Sequence, residues 1–201
     1  MKLIKEKQER ALTFDEYYKN IEHLLENSQT SGTNHSEAMV NYTQLNMQRM
    51  NRLLKTIEIE EDLASVVKNS NKSFGFMVLA EAWCGDVAQN LPIMHKIISL
   101  NLQWKMHIVW RDENLDLMNE YLTNGSISIP KVIIFDPLTF EEIAVWGPRP
   151  EILQQKVMEY KANPNGISYA DFVESVHLWY AKDKGKSLQA EWKDLLQKIC
   201  G

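Results

Sequence analysis

The sequence predicts an α/β protein with a mixed four-stranded sheet, helices on both of its faces, and helical extensions at both ends of the chain. Three observations lead there. Apolar residues make up 44% and charged residues 24% of the 201 positions, proportions that belong to a chain folding around a packed core. Eight Gly and six Pro are few for this length, so long helices and few tight turns are expected and an all-β sandwich is excluded. From Phe74 onward, short strand-like runs alternate with helix-like ones, the pattern of strands joined by helical crossovers.

The first seventy residues read as helical. Thr13 and Glu16 form a Thr-x-x-Glu capping box, and Phe14, Tyr17, Tyr18, Ile21, Leu24 and Leu25 follow at helical spacing to about Asn27. The polar stretch from Ser28 to His35 has nothing to bury and reads as a loop. A second helix runs from Ser36 to about Thr56 with Met50, Leu53, Leu54 and Ile57 on its apolar stripe, and a third from Glu60 to Lys68. The methionines Met39, Met47 and Met50 read as core filler.

The sheet comes next. Strands are expected over Phe74–Ala80, Trp104–Trp110, Lys131–Asp136 and Glu141–Trp146, with helices over Val87–Leu100 and Asn114–Leu122 between them. Asp136-Pro137-Leu138-Thr139 has turn chemistry, so the last two strands form a hairpin and run antiparallel. With helical crossovers elsewhere, the expected order is second, first, third, fourth, with the first two parallel. Pro150 opens a closing helix to about Ala162. Beyond Asn163-Pro164-Asn165-Gly166, two amphipathic helices carry Phe172, Val176 and Trp179, then Leu188, Trp192, Leu195, Leu196 and Ile199; stripes this apolar are expected to pack on the core. The predicted organisation is a helical extension over 1–70, a core over 71–162 and a second helical extension over 163–201.

Charge and cysteine usage narrow the function. With 22 Lys and Arg against 27 Asp and Glu the net charge is −5, which argues against a nucleic-acid partner, since phosphate affinity rests on a basic surplus. The N-terminal segment has no apolar core for a signal peptide, and apolar runs elsewhere are of strand length, so a cytoplasmic protein without membrane segments is expected. Cys84 and Cys200 make no disulfide framework and have no zinc-ligand spacing. The five histidines are scattered, each reading as structural; no metal and no cofactor are expected.

Cys84 is the residue with chemistry in view. It stands in Ala80-Glu81-Ala82-Trp83-Cys84-Gly85-Asp86-Val87, where the first strand turns into a helix. A sulfur there faces unpaired amides and the positive end of the helix dipole, which favour a thiolate, so a partly exposed, reactive thiol is expected. Asp86 adds a negative charge that opposes the dipole. Arg111 and Arg149, each following a strand, are rim candidates for attracting a carboxylate or thiolate. Glu81 is expected to be a rim carboxylate.

Trp83-Cys84-Gly85-Asp86-Val87 resembles the Trp-Cys-Gly-Pro-Cys active site of thioredoxin, and Ile129-Pro130 is similar to the Ile-Pro whose peptide bond is cis in that fold and lies beside the active-site sulfur. The resemblance covers about residues 71–162. The whole chain, with Trp-Gly-Pro-Arg-Pro at 146–150 and Trp179-Tyr180 in the tail, resembles bacterial thioredoxin-like proteins that keep only the first active-site cysteine. It implies a thioredoxin-like sheet, Cys84 as the catalytic nucleophile, and Trp83, Gly85, Asp86, Val87, Ile129, Pro130 and Arg149 around it. It also marks departures. Val87 holds the place of the second cysteine, Val78 that of a buried Asp, and Asp86 that of the proline.

Three functions follow. The first is a monothiol redox protein, in which Cys84 exchanges with a protein or small-molecule disulfide and an external thiol resolves it. The second is a non-catalytic binding module using the groove beside Pro130. The third is a glutathione-transferase-like enzyme, disfavoured because much of the helical part precedes the core.

Overall fold

A computed structural model describes residues 2–201. Four helices lead into the sheet: α1 (Lys2–Gln8), α2 (Phe14–Glu26), α3 (Glu37–Thr56) and α4 (Glu61–Asn69). The sheet region follows as β1 (Gly75–Ala80), α5 (Gly85–Ile98), β2 (Lys105–Trp110), α6 (Leu115–Glu120), β3 (Lys131–Phe135), β4 (Glu142–Trp146) and α7 (Glu151–Ala162), and α8 (Tyr169–Asp183) and α9 (Lys186–Cys200) complete the chain. Only α1 has no counterpart in the sequence reading. It is seven residues long with one buried side chain, Ile4, too short to show a period. At α2 both halves of the capping box form, with the Thr13 hydroxyl accepting from the Glu16 amide and the Glu16 carboxylate accepting from the Thr13 amide.

The sheet order is β2-β1-β3-β4. β1 and β2 run parallel, with Val78 beside Ile108; β1 and β3 run antiparallel, with Val78 opposite Val132; and β3 pairs antiparallel with β4. The connections account for this. The helical crossover through α5 permits the parallel pair, while Asp136 Oδ1 accepts from the Leu138 and Thr139 amides and closes the β3–β4 turn. Every residue of β1 and β3 is buried, as expected for strands covered by helices on both faces. Leu12 covers the outer edge of β2, exchanging two backbone hydrogen bonds of 2.8 Å with Ile108.

One hydrophobic core draws on both extensions. Tyr17 and Ile21 of α2, Met50 of α3, Leu63 and Val67 of α4, and Leu188, Trp192 and Leu196 of α9 all belong to it. Trp192 is fully buried, its ring stacked on Phe76 at 5.9 Å and edge-on to Trp146 at 6.1 Å. Helix α8 differs from expectation. Its stripe residues Phe172, Val176 and Trp179 are half-buried, and Tyr180 is its one buried side chain. The reason is that α8 spans a cavity instead of resting on the sheet, with Phe172 stacked flat on Tyr160 of α7 at 3.8 Å.

The chain converges beyond the last residue of β1. Gly147, just after β4, has φ +112°, and a Cβ there would lie 2.3 Å from the Pro130 carbonyl oxygen, so only glycine lets the β4 exit press against the loop before β3. The Ile129–Pro130 and Gly147–Pro148 peptide bonds are both cis.

Two stability outcomes are expected. Trp192→Ala should cost about 3–5 kcal/mol, read from urea unfolding, because it empties a fully buried aromatic site. Removal of residues 163–201 should give an aggregating or partly unfolded protein, since it uncovers Phe76 and Trp146; an unchanged cooperative melt of a soluble truncated chain would contradict this.

Candidate functional site

The turn between β1 and α5 is built from its own backbone and braced by the N-terminal extension. The Cys84 amide donates to the Glu81 carbonyl at 3.2 Å, and the Cys84 carbonyl accepts from Ala88 in the first turn of α5. Ala82 is held at both ends, its amide donating to Ser31 Oγ at 2.8 Å and its carbonyl accepting from Asn46 Nδ2 at 2.9 Å. Cys84 thereby becomes the N-cap of α5.

The sulfur is not the partly exposed thiolate that the sequence suggests. Cys84 is 9% exposed, and its thiol donates to the Ile129 carbonyl at 3.4 Å, next to Pro130. Burial pushes the thiol up to about 12, Asp86 adds to the rise, and the Val87 and Asp86 amides with Arg149 pull the other way without overcoming it. Burial outweighs the helix N-terminus. At neutral pH Cys84 therefore favours the thiol over the thiolate more strongly than a free cysteine does.

Asp86 organises the surroundings. Its Oδ2 accepts from Arg149 Nη2 at 2.5 Å and Nε at 3.1 Å, and its Oδ1 accepts from the Tyr180 hydroxyl at 2.6 Å. Asn90, one turn along α5, donates to the Asp86 carbonyl at 2.7 Å and to the Tyr180 oxygen at 3.0 Å. Burial opposes the Arg149 charge, but Asp86 outweighs it and holds the guanidinium above its ordinary value. Burial and then Asp86 raise the Tyr180 phenol. Arg149 is thus committed within the site and is not a solvated rim residue.

Arg111 lies 4.9 Å over the Trp83 ring, and its Nε and Nη2 donate to Asp112. Glu81 corrects the sequence reading. It is fully buried, with Oε1 accepting from the Asp112 amide at 2.8 Å, and burial raises its carboxyl. A strand end enclosed on both faces leaves no rim for it to occupy. Val87 is buried behind the turn.

Trp83, Cys84, Gly85, Asp86, Arg111 and Arg149 line a cavity of about 750 Å³, walled by α3, by the loop from Thr123 to Ile129, and by α7 and α8. The structure brings together Trp83, Cys84, Gly85, Asp86, Ile129 and Arg149 at this cavity. Sequence reasoning misses Arg49, reads His177 as structural and meets Tyr180 only as part of the resemblance in the tail; all three come from the extensions, far from Cys84 in sequence. Asn90, four residues after Asp86 on one helix face, is the partner that spacing alone reveals. Cys200 is elsewhere. Lys72, which precedes β1, donates to the carbonyls of Ile199 and Gly201, so Cys200 lies near the start of a strand whose far end leads to Cys84, about 20 Å along. Among the described residues no group of three His, Cys, Asp or Glu is placed to hold a metal ion, and no helix is long and apolar enough to cross a membrane.

The charge balance around the sulfur has a signed consequence. In a Cys200→Ser background, alkylation of Cys84 by iodoacetamide should accelerate with pH without levelling off up to about pH 10. Asp86→Asn should speed the reaction at fixed pH, because a raising charge is removed and Arg149 is left to favour the thiolate; Arg149→Gln should slow it. A plateau near pH 8.5, or the opposite order of the two variants in a mass-spectrometric time course, would contradict the assignment.

Comparisons with known proteins agree with the topology. A family model described as thioredoxin matches residues 32–162, beginning well before the sheet and taking in α3 and α4. No curated protein matches the chain. A crystal structure of a protein of unknown function from Pseudomonas aeruginosa is similar with a TM-score of 0.59 at 15% identity, covering 94% of this chain and 99% of that one. An HIV epitope scaffold is similar with a TM-score of 0.54 at 18% identity, covering 94% and 98%. Both likenesses extend over the helical extensions as well as the sheet, and at these identities they speak for the fold. With the family match spanning more than half of its length, the chain belongs to the thioredoxin-like superfamily.

Proposed function

We propose that the protein is a single-cysteine thiol–disulfide exchanger of the bacterial group that keeps only the first active-site cysteine. The observation that carries this reading is the placement of one sulfur, Cys84, at the N-cap of α5 on the floor of a 750 Å³ cavity, beside Pro130 and remote from the second sulfur. In the forward step the Cys84 sulfur attacks a disulfide R–S–S–R′. The Cys84–S–R bond forms, the S–S bond breaks, and the departing R′S⁻ takes up the proton that Cys84 loses. With Val87 in place of a second cysteine, an external thiol must resolve the mixed disulfide, restoring the Cys84 thiol and leaving as R–S–S–R″. Two free cysteines suit a reducing compartment, and the reading puts the protein in the cytoplasm.

The buried, protonated state of Cys84 favours a second reading, a non-catalytic module that binds its ligand in the same cavity with the sulfur as a passive wall. The two differ in one measurement. After incubation with hydroxyethyl disulfide, the exchanger should carry one adduct on Cys84, absent in Cys84→Ser and released by excess thiol. An adduct confined to Cys200 would sink the exchange reading in favour of the module.

A substitution provides the companion test. Val87→Cys places a second sulfur one helical turn from Cys84, and mild oxidation should then remove two hydrogens and link the two peptides. The wild type should show little dithiol-dependent reductase activity, and the variant weak but measurable activity. If both cysteines of the variant stay alkylatable, the turn geometry assigned to the site is wrong.

A further inference from the structure

The charges lining the cavity run against those of the whole chain. The protein carries −5 overall, yet the cavity is lined by Arg49, Arg111, Arg149 and Lys161 against one carboxylate, Asp86. Asp86 is already taken, bonded by Arg149 and Tyr180. Arg111 is likewise paired, with Asp112. Arg49 is not. Its Nη1 donates to Asn46 Oδ1 at 2.8 Å, and among the described residues no carboxylate lies within ion-pair distance of it. Burial holds this guanidinium below its ordinary value, which marks a partly desolvated cation without a counter-charge.

Arg49 comes from the N-terminal extension and meets His177 of the C-terminal extension above Gly85. A Cβ built on Gly85 would lie 3.0 Å from His177 Cε1 and 3.8 Å from Arg49 Nη1. His177 Nδ1 is itself buried without a hydrogen-bond partner. The Arg49 guanidinium and the edge of the His177 ring carrying Cε1 and Nε2 thus crowd one spot over Gly85, a single residue from the sulfur. Apolar lining comes from Val157 of α7 and from Phe172, Val173 and Val176 of α8.

We propose that the cavity binds a small acidic thiol or disulfide, its carboxylate held by Arg49 and His177, its apolar body against α7 and α8, and its sulfur at Cys84. This rests on the exchange reading and names its substrate class. The size of the ligand follows from the walls: helices from both extensions narrow the space over Cys84 to about 750 Å³, within the range of sites for small molecules. Charge complementarity selects an anion, because a carboxylate on Arg49 would replace a desolvated lone charge with a charge-assisted pair. Gly85, lacking a Cβ, lets His177 pack this close to the turn that carries the sulfur.

The test compares two aromatic disulfides on the full chain in a Cys200→Ser background: 5,5′-dithiobis(2-nitrobenzoate), which is anionic, and 2,2′-dithiodipyridine, which is neutral. The readout is the ratio of their rates at Cys84, which cancels general changes in the thiol. The ratio should fall about tenfold in Arg49→Gln, recover to within about threefold of wild type in Arg49→Lys, and fall steeply with added salt. A ratio unmoved by Arg49→Gln overturns the anion subsite while leaving exchange intact. If neither disulfide reacts at Cys84, the exchange reading fails, and the subsite is then decided separately on Cys84→Ser. There, titration calorimetry should show 5-methylthio-2-nitrobenzoate binding at least about tenfold tighter than its methyl ester, with the difference lost in Arg49→Gln. Equal affinities for acid and ester, or equal loss of both, would overturn the subsite whatever Cys84 does.

Discussion

A carboxylate in the first turn of α5 holds three separate parts of the chain in register. Asp86 takes the Arg149 guanidinium from the segment after β4 and the Tyr180 hydroxyl from α8, while Asn90 ties the same phenol back to α5. With side chains only 14% and 15% exposed for Asp86 and Arg149, removing either partner would leave the other charge largely out of water. That penalty is the usual reason a buried pair is hard to break. The position of α8, which otherwise has little contact with the sheet, depends on this cluster, and so does the shape of the cavity beneath it.

The same cluster sets the character of the sulfur. Thioredoxin-like sites place a cysteine where helix amides and dipole favour the anion, and Cys84 keeps that backbone position. Burial and the Asp86 charge overturn the preference, and the thiol rests as a donor to the Ile129 carbonyl. The exchange proposed for this sulfur would rely on orientation and on the leaving thiolate taking the proton, which would give the walls of the cavity a larger role than a low-pKa nucleophile needs.

Those walls come from outside the sheet. Arg49 stands on α3 and His177 on α8, Tyr180 of α8 bonds Asp86 behind them, and Ser31 and Asn46 brace the turn that carries Cys84. The extensions are therefore part of the site as well as part of the core. Charge follows the same division: an acidic chain surrounds a cavity whose uncommitted charge is positive.

Much of this was legible from residue order. Alternation of strand and helix periods, the Asp136 turn and the helical crossovers determined the sheet order, since few other topologies satisfy them, and Trp-Cys-Gly together with Ile-Pro located the sulfur and its neighbour. Local chemistry also determined the cap at Thr13, which depends on a residue three positions on. Tertiary structure alone decided that Glu81 is enclosed, that Arg149 pairs with Asp86 sixty-three positions away, that α8 roofs a cavity, and that Cys84 is buried with its thiol pushed up. The physical reason is common to all four. Periodicity and capping are short-range and written in spacing, whereas desolvation and ion pairing depend on which distant segments close over a group, and here the extensions at both ends of the chain do the closing.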